Sequence, residues 1–494
     1  MKALPIKSWV PVAIAFAASR IVYFCLGVRF DASPLVTHYQ YLDPALLRDN
    51  LLQSIYYLHM QPPLFNLFLG VVLKLFPSHW ALAFNVIYLL LGLVLSIATF
   101  QIMQRLGVPS RMCSWLTILF IVSPACVLYE NYLFYTYPVT TLLALSALCL
   151  HRLMERPGLL NACMFFFLLA AVVLTRSLFH MAWLLFFTVA VLFSKRQYFR
   201  RLATPAAVSL ALVFFWYAKN MYVFGEFSSS SFFGMSFSKM TTFMIPEEER
   251  RQLVQEGKLS ELSLIPPFSG IEAYEKVLPK TKRTGIPAVD LKQKTGMIKD
   301  WNRNYSGYVY VSRQYMRDAL YSLSYRPAIY LVSILKSYDI FFRPASNYVF
   351  LAKNRQKIEP INRFYNLVFL GQILDTSRGS LPSKDHSSGY YAKAFFRMGL
   401  FLVIAFCGLL VFGFGLLRKA LSQQPVDVPF TLTVMFIWTN VLYVATVGNC
   451  FEMGENFRFR FMIDPFVIVL LGLFLHSLRK RFIKNAAEES ACVG

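Results

Sequence analysis

Repeated long runs of uncharged, apolar residues constrain the fold of this chain more than any other feature. Stretches of roughly 15 to 25 residues without charge recur along its 494 residues. An α-helix of about 20 residues crosses the ~30 Å hydrocarbon core of a bilayer. Only 15% of the residues are charged and 56% are hydrophobic, a balance that soluble proteins of this length do not show. The sequence therefore predicts an all-α polytopic membrane protein.

Ten segments are predicted to cross the membrane, within a range of nine to thirteen. They are 9–28, 80–103, 113–129, 133–150, 159–175, 178–194, 203–222, 395–417, 428–448 and 460–478. With both termini cytoplasmic, every inner loop is basic, as membrane proteins usually arrange their loops. The clusters are Lys2 and Lys7, Arg105 and Arg111, Arg152 and Arg156, Lys195 to Arg201, Arg418 and Lys419, and Arg479 to Lys484. This placement accounts for most of the +23 net charge without nucleic acid as a partner.

Three parts of the chain follow from these spans. Residues 1–222 form an N-terminal transmembrane module with a first outer loop at 29–79, residues 223–394 a large outer loop, and 395–494 the C-terminal spans and basic tail. The apolar run 62–76 is too short to cross, and counting it as a span would move most basic clusters outside. We therefore expect it to lie on the membrane surface as an interfacial helix. Whether 327–342 crosses is left open.

Polar side chains that are costly in a membrane collect at the outer ends of the predicted spans. They are Asp31, Asp43, His59, Gln61, Glu130, Arg176, His180, Lys219, Asn220, Glu452, Glu455, Arg458 and Arg460. Each has an ordinary explanation by itself, such as an arginine extended to the interface or a packed histidine. Their common side of the membrane favours one binding site at that face.

The cations and carboxylates predicted at this outer face together suit the transfer of a sugar from a lipid phosphate. Arginine holds phosphate through paired hydrogen bonds and lysine acts as a point charge. An ionised aspartate within hydrogen-bond reach takes the proton of an attacking hydroxyl. The leaving phosphate is already charged and needs no strong acid.

The order of motifs near the N-terminus resembles that of the C-type glycosyltransferase (GT-C) superfamily. A first span is followed by an aspartate, by His59-Met60-Gln61-Pro62-Pro63-Leu64, and by a span that ends in a basic turn. The stretch "LHMQPPLFNLFLGVVLKLFP" is similar to the short jacket helix of bacterial lipid A aminoarabinose transferases and protein O-mannosyltransferases. "TRSLFH", "KNMYVFG" and "ENFRFRFMIDP" also look like sequences of this branch. The resemblance covers mainly residues 9–225 and 440–475.

The resemblance implies an inverting enzyme that uses a polyprenyl-phosphate sugar at the periplasmic face of a bacterial inner membrane. Asp43, 16 residues before His59, is the expected general base, and Asp31 is the alternative, although the family's Asp-Glu is Asp-Pro here. Substrate contacts are expected from His59 at the site entrance and from Gln61, Glu130, Arg176, His180, Lys219, Asn220, Glu455, Arg458 and Arg460. Glu130 matches an acidic position that sometimes binds a divalent metal in related enzymes. No other cofactor is expected.

Two other functions stay open at this point. One is a transporter or flippase for a lipid-linked sugar, which would more often show inverted repeats and polar breaks at the middle of the membrane. The other is an O-antigen ligase or polymerase. No Walker loop, GxSxG or HExxH motif is present. The expected partners are the lipid-linked sugar and membrane lipids, whereas the sugar, the acceptor and the oligomeric state are left open.

Overall fold

The computed structural model describes residues 8–279, 283–295, 300–374 and 396–493, with side chains up to residue 483 and at 485. Lys2 and Lys7, the side chain of Lys484, and the end of the predicted outer loop at 375–394 lie outside this description. Its α-helices are α1 Val10–Cys25, α2 Pro34–Thr37, α3 Pro44–Asp49, α4 Leu51–Tyr56, α5 Pro63–Leu75, α6 Trp80–Arg105, α7 Ser110–Ile121, α8 Pro124–Glu130, α9 Thr136–Glu155, α10 Leu159–Thr175, α11 Met181–Ser194, α12 Phe199–Phe224, α13 Phe233–Ser238, α14 Glu247–Gln255, α15 Pro287–Asp290, α16 Gly307–Tyr325, α17 Pro327–Phe341, α18 Ala352–Arg355, α19 Glu359–Tyr365, α20 Leu400–Ser422, α21 Val428–Phe451 and α22 Asn456–Val493. The described residues contain no strand, only two isolated bridges.

Six of these helices are long and apolar enough to cross a membrane. They are α6, α9, α12 with the turn before it, α20, α21 and α22 up to Ile483. The pair α7 and α8, bent by 62°, gives a seventh candidate, whereas α1, α5, α10 and α11 are apolar but shorter. Every predicted span overlaps one of these helices, and the chain is an all-α membrane protein. The number of spans, the sidedness and the membrane stay predictions.

Helix α5 begins where the two prolines make a helix start favourable. Pro63 occupies the first turn, where a missing N–H costs no hydrogen bond. The helix has 13 residues, so its length of roughly 20 Å is less than a bilayer core. Its buried Asn66 accepts a hydrogen bond from the Leu42 amide at 2.8 Å. A methyl group at Gly70 would lie 2.3 Å from Leu51, so glycine allows the close approach of α4.

An ion pair between Arg20 of α1 and Glu130 at the end of α8 links the N-terminal helices. Two hydrogen bonds of 2.8 and 2.6 Å join the guanidinium to the carboxylate, and Tyr137 donates to the same carboxylate at 2.8 Å. Gly92 leaves the necessary space, because a methyl group there would come within 2.1 Å of Glu130. Such a pair tolerates burial only when both partners are present.

Asn304 is one of several residues through which the large loop packs on the first loop. Asn304 accepts from the amides of His59 and Met60 at 2.9 and 3.3 Å, and donates to the carbonyls of Tyr57 and Ala288 at 2.9 and 3.1 Å. All four hydrogen bonds of the amide are therefore made. The segment 327–342 is largely the 15-residue helix α17, which packs against α21 and α22 and is too short for the span criterion.

Candidate functional site

A cavity of about 790 Å³ lies where one set of helix ends converges. Its wall comes from the chain between α10 and α11, from the segments that follow α12, and from the turn between α21 and α22. Aromatic side chains form much of this wall. The charged residues that line it are Arg176, Lys239, Arg303, Glu452 and Glu455. Five charged groups are thus concentrated at one cavity that is rich in aromatic residues.

Arg176 is positioned by the end of α10. The residue caps the helix with extended backbone, and its side chain is only 7% exposed. The guanidinium donates from Nη1 to the hydroxyl of Tyr135 and lies 5.0 Å from the rings of Tyr135 and Phe459. Its buried Nε has no partner among the described residues. The rings hold the cation in place and leave part of its hydrogen-bonding capacity unused.

Arg458 lies behind the wall and supports it. The side chain is 1% exposed, donates to the hydroxyl of Tyr135 at 3.0 Å, and forms an ion pair with Glu455. Glu455 also accepts a hydrogen bond of 2.9 Å from Tyr348. Burial raises the pKa of the Glu455 carboxyl, but the positive charges of Arg458, Arg176 and Lys239 and the Tyr348 hydrogen bond outweigh it and lower the pKa. Glu455 is therefore ionised at neutral pH.

Two further cations of the wall come from the large loop. Lys239, directly after α13, forms an ion pair with Glu452 and donates to the carbonyl of Met453 at 3.0 Å. Arg303 donates to the carbonyl of Ser269 and to Tyr308, and its Nε has no partner among the described residues. Neither cation was predicted from the sequence. Each is one of many basic residues in a polar loop, and no local motif distinguishes it.

Gln61 and His180 line the cavity, as Arg176 and Glu455 do. The buried Oε1 of Gln61 has no partner among the described residues. His59 does not line the cavity. Its Nδ1 lies 2.7 Å from Ser231 Oγ and its Nε2 lies 2.9 Å from the carbonyl of Asn304, so it ties the first loop to the large loop.

The two aspartates expected as general base lie away from the cavity wall. Asp43 caps the start of α3, where one oxygen accepts from the Ala45 amide at 2.9 Å and the other from the Thr295 amide and hydroxyl. An aspartate before a proline-initiated helix often has this role. Asp31 accepts from the Ser33 amide at 3.0 Å and lies 4.0 Å from Lys353. A catalytic role of either residue stays a prediction.

Four other residues expected to bind substrate make structural contacts instead of lining the cavity. Lys219 donates to the Leu58 carbonyl at 2.8 Å, and Asn220 to the Ser228 carbonyl at 2.7 Å. Arg460 donates to the carbonyls of Phe341 and Arg343 at 2.7 and 2.6 Å. Glu130 is paired with Arg20. Arg458, the fifth such residue, does not line the cavity but contacts its wall: it pairs with Glu455, and its guanidinium carbon lies 5.4 and 5.7 Å from the rings of Tyr348 and Phe459.

The donor atoms expected of a metal site do not come together in the described ranges. No group of three or more His, Cys, Asp or Glu side chains converges among these residues. A divalent metal at Glu130 therefore stays a prediction, and its carboxylate oxygens are bound to Arg20 and Tyr137.

The fold and the site define a class: a helical membrane protein with an aromatic cavity that carries fixed cations at its wall. Known protein families, curated proteins and solved structures were compared with the chain, and none matches it. The resemblance to GT-C enzymes consequently rests on the quoted motifs alone.

Proposed function

We propose that this protein is a membrane glycosyltransferase that moves a sugar from a polyprenyl-phosphate donor, bound in the cavity, to a lipid, glycan or protein acceptor. The observation that carries the proposal is the convergence of Arg176, Lys239 and Arg303, from three separate segments, on one aromatic cavity. Three cations against two carboxylates leave the wall with one positive charge. A sugar phosphodiester carries one negative charge and is complementary to it.

The phosphate would bind to the guanidinium groups. Arginine suits phosphate oxygens because its planar fork donates two parallel hydrogen bonds. Arg176 and Arg303 each have a buried Nε–H that finds no partner within the described part of the chain, and a small side-chain rotation would offer it to an anion. When the bond to the sugar breaks, the phosphate gains a second negative charge, which the same cations stabilise in the transition state.

The sugar needs hydrogen-bonding groups and the lipid chain needs an apolar surface, and the cavity wall offers both. Gln61 supplies an acceptor for a sugar hydroxyl. The lipid would leave over the packed pair Phe233 and Phe451, which are 44% and 41% exposed and whose ring centroids lie 5.7 Å apart. On α12, Phe214 packs 6.1 Å from Phe227 of the cavity wall, and Phe214 and its neighbour Phe215 are 47% and 66% exposed. A long apolar chain could follow that surface into the bilayer.

We place the reaction at the periplasmic face of a bacterial inner membrane, with the termini cytoplasmic. A polyprenyl-phosphate sugar carries its leaving group with it, so the transfer needs no nucleotide at that face. The basic clusters of the predicted inner loops support this orientation.

Cleavage of labelled sugar donors tests the proposal. Purified full-length protein in lipid nanodiscs is incubated with polyprenyl-phosphate hexoses and pentoses labelled in the sugar, together with a membrane extract that supplies lipid, glycan and protein acceptors. We expect sugar transfer by the wild type and a loss of about 10- to 100-fold with Arg176→Gln, which removes charge-assisted hydrogen bonds to phosphate. Arg251→Gln, on an exposed arginine in α14, is the matched control and should leave the rate unchanged.

Two outcomes would contradict the proposal. If the wild type cleaves none of the donors, the glycosyltransferase function is excluded. If the protein instead carries the intact labelled lipid across liposome membranes, the transporter alternative replaces it.

A further inference from the structure

The carboxylates at the cavity wall differ from those that the motifs near the N-terminus predict. Among the described residues, only Glu452 and Glu455 bring a carboxylate to the wall, whereas Asp31 and Asp43 do not line it. Both oxygens of Asp43 are bound by backbone and hydroxyl donors. A base that takes a proton from an acceptor must come within hydrogen-bond distance of it. For the choice of the catalytic base, the position of the wall carboxylates therefore matters more than the motif near the N-terminus.

Glu455 and Glu452 are held in different ways. Glu452 pairs with Lys239, itself a cation of the cavity wall. Glu455 is held from behind by Arg458, which is 1% exposed, and from the side by the Tyr348 hydroxyl at 2.9 Å. Its own side chain keeps 22% exposure. Each carboxylate oxygen has two acceptor positions, so these two contacts leave acceptor capacity for a substrate hydroxyl.

We infer that Glu455 is the catalytic base, which takes the proton from the acceptor hydroxyl as that hydroxyl attacks the sugar. This assignment rests on the proposed glycosyltransferase function. It extends that function because it moves the proton acceptor from the first loop to the turn between α21 and α22.

The acceptor oxygen forms a bond to C1 of the sugar, and the bond between C1 and the phosphate oxygen breaks. The electron pair of that bond stays on the phosphate, which becomes polyprenyl phosphate and remains with Arg176 and Arg303. The acceptor proton passes to the Glu455 carboxylate, which later returns it to solvent. Attack from the face opposite the phosphate inverts C1.

The charged surroundings favour the ionised form of Glu455. Arg458 from α22, Arg176 from the end of α10 and Lys239 after α13 act on it as cations, and Tyr348 donates to it. Tyr39 and His38 of the first loop also lie close enough to interact with it, both as neutral groups at neutral pH. A carboxylate kept ionised is ready to accept a proton throughout the neutral range.

The test compares Glu455→Gln with Glu452→Gln, the second carboxylate of the same wall. Donor cleavage is measured in nanodiscs with the labelled polyprenyl-phosphate sugars, and donor affinity is measured separately by tryptophan fluorescence. We expect Glu455→Gln to lower kcat by about 100-fold or more, the usual contribution of a general base, with donor affinity nearly unchanged. Glu452→Gln should keep most of the rate. Glu455→Asp should recover part of it.

A second variant separates catalysis from a structural role, because Glu455→Gln also removes the counter-ion of buried Arg458. Tyr348→Phe removes only the hydrogen bond that lowers the pKa of Glu455. The acidic limb of the wild-type pH–rate profile should therefore move to higher pH in this variant.

Four results would overturn the assignment. One is a Glu455→Gln variant that keeps the wild-type kcat. Another is equal loss of donor affinity and rate in this variant, which indicates a binding role. A third is an unmoved acidic limb in Tyr348→Phe. The fourth is loss of rate in Asp43→Asn or Asp31→Asn alone, which returns the base to the first loop. In all four the wild type still transfers sugar and the proposed function stands, whereas an inactive wild type removes both.

Discussion

Arg176 and Arg458 donate hydrogen bonds to the same oxygen, the hydroxyl of Tyr135. That hydroxyl in turn donates to Gln40 at 2.7 Å. Two like charges are thereby brought to one phenol, although one arginine ends α10 and the other lies in the first turn of α22. The repulsion is offset by Glu455, which pairs with Arg458, and by the Tyr135 ring, 5.0 and 5.3 Å from the two guanidinium carbons.

Tyr135→Phe is therefore expected to destabilise the protein by about 3 kcal/mol, since two charged donors lose their common acceptor. Tyr88→Phe, which removes one hydrogen bond to the Phe134 carbonyl, is the control and should cost about 1 kcal/mol. Unfolding of both variants in one detergent measures the difference. Equal stability of the two would argue against a special role of the shared hydroxyl.

Glu130 is expected to act on stability rather than on substrate binding. Glu130→Ala leaves the buried Arg20 guanidinium unpaired and should cost about 3–5 kcal/mol. The double variant Arg20→Met/Glu130→Met removes both charges and should recover most of the loss. Thermal unfolding gives the comparison. If the double variant is stable but no longer binds the labelled sugar donor, Glu130 has the substrate role that the resemblance implies.

Stability should fall with acidity because of His59. Burial lowers the pKa of His59 from 6.5 to about 3, and His38 shifts in the same direction to about 3. Between pH 6.5 and about 3 the unfolded chain binds protons at these histidines that the folded protein does not bind. Their full contribution to stability is therefore present above pH 6.5, the pKa of the unfolded chain, and it is lost as the pH falls below that value.

The loss approaches about 1.4 kcal/mol per pH unit for each of these histidines. His59→Gln should be less stable than the wild type at pH ~7.5 but should lose less stability on acidification to pH ~5. Unfolding midpoints at the two pH values test this, with His79→Gln, on an exposed position, as the control. An unchanged pH dependence in His59→Gln would contradict the buried neutral imidazole.

Asn304 should determine how firmly the large loop is joined to the first loop. Asn304→Asp keeps the acceptor but replaces two donated hydrogen bonds by a carboxylate against the Tyr57 and Ala288 carbonyls. We expect a cost of about 3 kcal/mol and faster proteolysis of the large loop. Asn161→Asp, on a partly exposed asparagine with one such bond, is the control. Equal protease resistance of the two variants would show that the contact does not hold the loops together.

Local sequence was sufficient for features that depend on neighbouring residues. The prolines at 62 and 63 indicated the start of α5, and the apolar runs indicated every helix that overlaps a predicted span. Asp43 illustrates the limit of this reasoning. Its place before His59 favoured a catalytic role, while the Asp-Pro pair is equally typical of a helix cap, and the structure places both oxygens in such contacts.

The sequence by itself determined that the chain is an all-α membrane protein and that Arg176, His180, Gln61 and Glu455 are polar residues at the ends of apolar segments. Only the tertiary structure decided which of them share a cavity and which cations join them. Arg20 meets Glu130 across 110 residues, and Lys239 meets Glu452 across 213. The physical reason is that hydropathy and turn chemistry act over a few neighbours, whereas charge pairing depends on how distant helices pack.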